Sequence, residues 1–181
     1  RVQLQVASGH SNDTLSRVLG GELDIGLVTL PVEADRIRVT EIGRDELVAI
    51  VPPDHAWVER RRIQAADFAN EPLILYERES RMTGILLRFL LEEGIFPRVV
   101  TEVDQVEVVK ELVRIGLGVA VLPAWSVRSE VERGELRALP IGTHGLTRAW
   151  CLAALDNGAQ PASLKALIRL CVEHLPRLLT A

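Results

Sequence analysis

A histidine flanked by serines opens the list of residues that could do chemistry: Ser8, Gly9, His10 and Ser11 stand consecutively near the start of the chain. Serine beside histidine is the material of a nucleophile and its base, which makes His10 the most tempting catalytic residue. The segment lacks the Gly-x-Ser-x-Gly turn that presents a nucleophilic serine, and no acid partner can be assigned to orient the imidazole. The same residue types have a second use. A helix N-terminus leaves unpaired N–H groups at the positive end of a dipole, an arrangement that favours an anion by ~0.3–1 kcal/mol. Three predicted helix starts carry small polar residues: Ser8 to Ser11, Ser80 to Thr83, and Asp104 with Gln105. Serine and aspartate at such positions are first of all caps, so capping stands beside ligand binding for each.

Other candidates resolve toward structure. Arg78 and Arg81 could clamp a carboxylate or sulfate by bidentate bonding, but Glu77 and Glu79 alternate with them, and a solvated charge cluster fits the pattern better. An anionic ligand is therefore favoured only slightly over a neutral or zwitterionic one. His55, His144 and His174 are scattered, and Cys151 and Cys171 lack metal-ligand spacing, so the expectation is no metal, no cofactor and two reduced thiols. Arg60-Arg61-Arg62 is the only basic run; Glu59 adjoins it and no aromatics interleave, which describes a solvated face and not a nucleic-acid patch. Gly116 and Gly118 precede a strand, where a helix C-cap and a tight turn explain them, and not a helix, as a phosphate loop requires.

These residues need elements to hold them. Strict alternation predicts a strand from Val2 to Val6, wet on one face and near a sheet edge. A helix from Ser11 to Leu19, capped by Ser11 or Asp13 and stopped at Gly20-Gly21, leads to a strand over Leu23 to Val28. The continuous apolar run Leu47 to Val51 reads as a doubly covered strand ended by Pro52-Pro53. After a polar stretch come a strand at Pro72 to Tyr76, a helix with Met82, Ile85, Leu86, Phe89 and Leu90 on its stripe, and a strand at Val99 to Val103. Asp104 and Glu107 read as a capping box before a helix that buries Val106, Val109, Leu112 and Val113. Strand Val119 to Leu122, a helix from Pro123 to near Gly134, strands Leu136 to Ile141 and Trp150 to Leu155, and a helix from Pro161 to about Leu179 complete the chain. Alternating strands and helices predict an α/β fold with largely parallel pairing.

With 181 residues, 48% of them apolar, the chain can bury roughly 70% of its unfolded surface, enough for one domain or two small lobes. A net charge of −4 gives no electrostatic footprint for a phosphate backbone. No apolar run approaches the ~20 residues that span a bilayer, and no signal-peptide pattern opens the sequence. The expectation is a cytoplasmic fragment of a longer soluble protein.

One run does more than set a fold class. Val113-Arg114-Ile115-Gly116-Leu117-Gly118-Val119-Ala120-Val121-Leu122-Pro123 resembles the V-x-x-G-x-G-[IV]-[AG]-x-[LV]-P signature of the effector-binding domain of LysR-type transcriptional regulators. The resemblance extends to Val2 to Val6 with the Ser8-Gly9-His10-Ser11 loop, and to Leu19-Gly20-Gly21-Glu22-Leu23-Asp24-Ile25-Gly26-Leu27. It continues through Asp45-Glu46-Leu47-Val48-Ala49-Ile50-Val51-Pro52 with His55-Ala56, and through Glu102 to Lys110. Ala56 and Trp57 depart from the family's usual Pro-Leu pair. Each motif alone is weak; five in register cover most of the chain.

The resemblance implies a two-lobed, type 2 periplasmic-binding-protein-like α/β module with two crossing hinge strands and a small-molecule effector between the lobes. Lobe I would be 1–47 plus 148–181, and lobe II 48–147. It places the three helix starts, and Thr29 to Pro31, at the cleft: Ser11, Thr29 and Ser80 become the expected effector contacts, with Gly9 and Gln105 secondary. It further implies that DNA binding belongs to an N-terminal winged helix-turn-helix outside these residues, that the family's first strand and helix of lobe I are absent, and that the full-length protein is a homodimer or homotetramer without membrane contact. A transporter's solute-binding protein shares the architecture and is the alternative reading. An enzyme on a related fold is a third, disfavoured by the lack of a nucleophile or metal constellation.

Overall fold

Leucine and β-branched runs form the strands, and the elements fall into two units. The computed structural model describes residues 3–30, 32, 35–158 and 160–180; Arg1, Val2 and Pro31, to which expectations attach, lie outside that set. One unit is made of 1–44 and 149–181, the other of 45–148. The chain passes between them twice, within β2 (Ile37–Val51) and within β7 (Leu146–Leu155).

In the first unit α1 (Ser11–Leu19) precedes β1 (Gly26–Thr29), which pairs antiparallel with β7 so that Gly26 faces Ala153 and Thr29 faces Trp150. Leu15, Val28, Cys151 and Ala153 form its buried centre. The long helix α5 (Ala162–Thr180) closes the chain with Pro176 inside it.

The second unit holds the larger core. Its strand order is β6 (Arg137–Pro140), β2, β5 (Val119–Pro123), β3 (Pro72–Tyr76), β4 (Arg98–Val103). The helices α2 (Arg81–Glu92) and α3 (Val106–Arg114) are the crossovers that make β3, β4 and β5 parallel. Leu73, Ile74 and Leu75 on β3, Leu90 on α2, Val109 and Val113 on α3, and Phe68 are buried together. Each such side chain contributes about 1.5–3 kcal/mol by leaving water. The glycines of the signature act as read: Gly116 takes a φ of +79°, and a Cβ on Gly118 would overlap the Pro72 carbonyl, so the β3–β5 approach depends on its absence.

Several expectations need correction. Residues 3–10 carry no strand, and Leu4 and Val6 are 64% and 88% exposed; alternation alone does not make a strand without a neighbour to bond to. Pairing is mixed, because β2 runs antiparallel to both β5 and β6, and β1 to β7. β2 begins at Ile37, ten residues before the apolar run, since its first part is half-exposed and carries charges on an open face. The stretch from Pro123 forms a 3₁₀ turn (Ala124–Val127) and a short α4 (Arg128–Glu132). The Asp104/Glu107 box does not form: Gln105 is the N-cap of α3, one residue later, and Glu107 reaches forward to Lys110 at 2.8 Å instead.

Candidate functional site

Parallel strands deliver their following loops to one edge, and the second unit uses this at β3 and β4. Tyr76 and Val103 are in register at the two strand ends. The Glu77 N–H donates to the Val103 carbonyl at 2.9 Å, and Glu77 takes a φ of +25°, a conformation rarely adopted by residues other than glycine. The Arg78 N–H donates to Glu102 Oε1 at 2.8 Å and its guanidinium Nε to Oε2 at 3.1 Å. Arg78 thus stands in an exposed charge cluster, paired with Glu102. The Thr83 hydroxyl donates to the Tyr76 carbonyl and fixes the first turn of α2 against the end of β3. Ser80 and Gln105, the N-caps of α2 and α3, therefore follow neighbouring strand ends on a bonded frame. The Ser80 Oγ accepts the Met82 N–H at 3.3 Å; the Gln105 side chain makes no capping bond.

Electrostatics at this end are acidic. Burial raises the Tyr76 hydroxyl above its ordinary pKa, the Glu77 and Asp104 carboxylates raise it further, and the Arg148 charge opposes them. The phenol stays protonated at neutral pH and keeps a donor at the strand ends.

Ser11 and Thr29 meet in the first unit. The N-cap of α1 is His10, without a side-chain capping bond, so neither Ser11 nor Asp13 caps the helix as expected. Ser11 instead accepts the Thr29 N–H at 3.2 Å, with the two hydroxyl oxygens 3.3 Å apart. Thr29 is buried and Ser11 half-buried, so this pair joins the start of α1 to the end of β1. Gly9 adjoins it; a Cβ there would come within 2.7 Å of the Asp13 carboxylate, a flexible group that can move. The structure joins Ser11 to Thr29 in one unit, with Gly9 two residues before Ser11, and in the other unit sets Ser80 and Gln105 at the starts of helices that follow the neighbouring strands β3 and β4.

A family model described as the LysR substrate binding domain matches residues 1–176. The chain belongs to this family. Among curated relatives, the HTH-type transcriptional regulator CbbR of Xanthobacter flavus is 30% identical over 165 residues, covering 89% of this chain and 49% of that protein. The chain spans about half the length of the curated relatives it matches. Among solved structures, the regulatory domain of the LysR family regulator MetR (NMB2055) from N. meningitidis superposes with a TM-score of 0.81 at 24% identity, over 96% of this chain and 80% of that one. The Synechocystis PCC6803 CcmR regulatory domain in complex with 2-PG gives a TM-score of 0.81 at 22% identity, over 91% and 79%. The fold is thus the periplasmic-binding-protein-like α/β fold of LysR effector-binding domains.

Sequence reasoning missed one polar cluster. Asp45 on β2 is inaccessible to solvent and accepts from Arg148 on β7 and from the Trp125 indole N–H at 3.0 Å. Its only trace in the sequence is a charged residue at the head of an apolar run; a partner 103 residues away leaves no pattern. Among the described residues no His/Cys/Asp/Glu group could hold a metal, and no helix is long and apolar enough to cross a membrane. Cys151 is buried and Cys171 half-buried, both as free thiols, and burial pushes the Cys171 thiol up.

Proposed function

We propose that this chain is the ligand-sensing part of a LysR-type transcriptional regulator. It binds a small-molecule effector and thereby modulates how the full-length protein acts on DNA in the cytoplasm. The observation that carries the reading is the family match across residues 1–176, to which the named relatives add transcriptional regulation and the CcmR neighbour a bound small molecule. The proposed contacts are Ser11 and Thr29 on one unit and Ser80 on the other, with Gly9 and Gln105 beside them. Each lies at or beside the start of a helix or at the end of a strand, positions that favour contact with a polar ligand. Lobe I is proposed as 1–47 plus 148–181 and lobe II as 48–147, bounds that differ from those of the two units by three residues in β2 and one in β7. DNA contact and assembly into a homodimer or homotetramer fall to the full-length protein, and the domain is a sensor and not an enzyme.

With Arg78 paired to Glu102 and Arg148 to Asp45, an anionic effector keeps only a slight edge over a neutral or zwitterionic one. A switch of this kind responds only to a ligand that prefers one arrangement; moving it from 1:99 to 99:1 takes about 10⁴-fold preference. The test is a footprint of the full-length protein on its own promoter region, with and without a panel of small acids, amino acids and sugars. The reading expects at least one compound to alter the footprint in the wild type and to lose its effect in Ser80→Ala. A footprint altered by no compound, or altered equally in the variant, overturns the assignment of the site.

A further inference from the structure

The two passages of the chain between the units are neighbouring, hydrogen-bonded strands, and a side-chain cluster ties them together as well. Asp45 is the first residue of β2 inside the second unit, and Arg148 is the last residue of β7 inside it. The Arg148 guanidinium grips the Asp45 carboxylate with Nε at 2.9 and 3.1 Å and Nη2 at 2.7 Å, while Trp125, in the turn after β5, adds its indole N–H at 3.0 Å. The Asp45 side chain is 0% exposed and that of Arg148 10%. A buried ion pair adds little net stability over an apolar one, because desolvation offsets the attraction; its distinguishing property is direction, since a fork on a carboxylate tolerates little rotation. On the other side of Asp45 the character of β2 changes. Residues 37–44 are mostly exposed or half-buried, and Gly43, two positions before Asp45, lies against α5 of the first unit, where a Cβ would come 3.2 Å from Leu179.

We infer that Asp45, Arg148 and Trp125 form a clasp that fixes both crossing strands to the second unit, so that the strands flex at Gly43–Arg44 and from Ala149 onward and not within that unit. The clasp is a positioning device, and the inference does not depend on what the domain binds. A second ion pair in the same unit, Lys110 with Glu130 at 2.9 Å, links α3 to α4; because Lys110 also donates to the Ser126 carbonyl beside Trp125 at 3.3 Å, the internal control is made at Glu130.

The test is amide hydrogen exchange on the full chain, comparing wild type with Arg148→Lys, Trp125→Phe and Glu130→Gln. In Arg148→Lys, which keeps the charge and loses the fork, amides of 45–48 and 146–148 are expected to exchange at least about tenfold faster while those of 73–75 on β3 stay at the wild-type rate. Trp125→Phe, which keeps an aromatic ring and removes one donor, is expected to show the same pattern more weakly, and it carries the test if Arg148→Lys does not fold. Glu130→Gln, which leaves the Lys110 bond to the Ser126 carbonyl in place, is expected to leave 45–48 and 146–148 unchanged. Unchanged exchange in both clasp variants, or an equal acceleration of every strand in the unit, would overturn the inference.

Discussion

A serine at the start of a helix can serve the helix or something else, and Ser11 and Ser80 divide those uses. Ser80 caps α2 through the Met82 N–H, whereas Ser11 turns away from α1 and takes the Thr29 N–H of β1. Ser80→Ala is therefore expected to cost about 1 kcal/mol of unfolding free energy, largely restored by Ser80→Asp, because any good cap replaces it. Ser11→Ala leaves the N–H of a buried threonine unpaired, at about 1–3 kcal/mol, and Ser11→Asp has no helix cap to restore. Urea unfolding of the four variants checks this; equal rescue by aspartate at both sites would contradict it. Both serines were legible as candidates because residue type and position announce a helix start. Their separate partners were not, since Thr29 stands 18 residues from Ser11 and only the fold brings it near.

The elements read best where a single physical signal dominated. α2 and α3 followed their apolar spacing, and the glycines before β5 carried their own stereochemical reason. The first half of β2 escaped because Arg38, Glu41 and Arg44 on an open face look like loop. The Asp104/Glu107 box was misread because Glu107 has a competing partner in Lys110. That lysine also joins α3 to α4. Burial by itself would lower the Lys110 ammonium, but hydrogen bonds to Glu107 and Glu130, with their charges, outweigh it and hold the pKa above the usual lysine value. For Glu130 burial pushes upward, and the bonds from Lys110 and its own backbone N–H, with the charges of Lys110 and Arg133, bring the carboxyl below the usual range. The signs follow: the Glu130 contribution is complete above about pH 4.3, the unfolded value, and is lost as pH falls through the lowered folded value. The Lys110 contribution is complete below about pH 10.4 and is lost as pH rises through the raised one. Stability measured against pH in Glu130→Gln is expected to lose part of its acid limb relative to wild type; superimposable acid limbs would contradict the pairing.

For the molecule as a whole, the α/β class and the family were legible from local motifs, while the mixed pairing was not. Strand direction is set by β2 and β7, which run through both units, and no local pattern records which strands they will meet. The central claim is that a small molecule binds this domain through residues at its helix starts. Thermal unfolding of the full-length protein against small carboxylates, aromatic acids, amino acids, sugars and inorganic anions tests it most directly, with each hit repeated on Ser11→Ala and Ser80→Ala. A saturable ligand is expected to stabilise the wild type by about 2.7 kcal/mol at 100 times its Kd, with the midpoint of the shift moved to higher concentration in both variants. A panel without any saturable shift, or a shift identical in wild type and both variants, would contradict it.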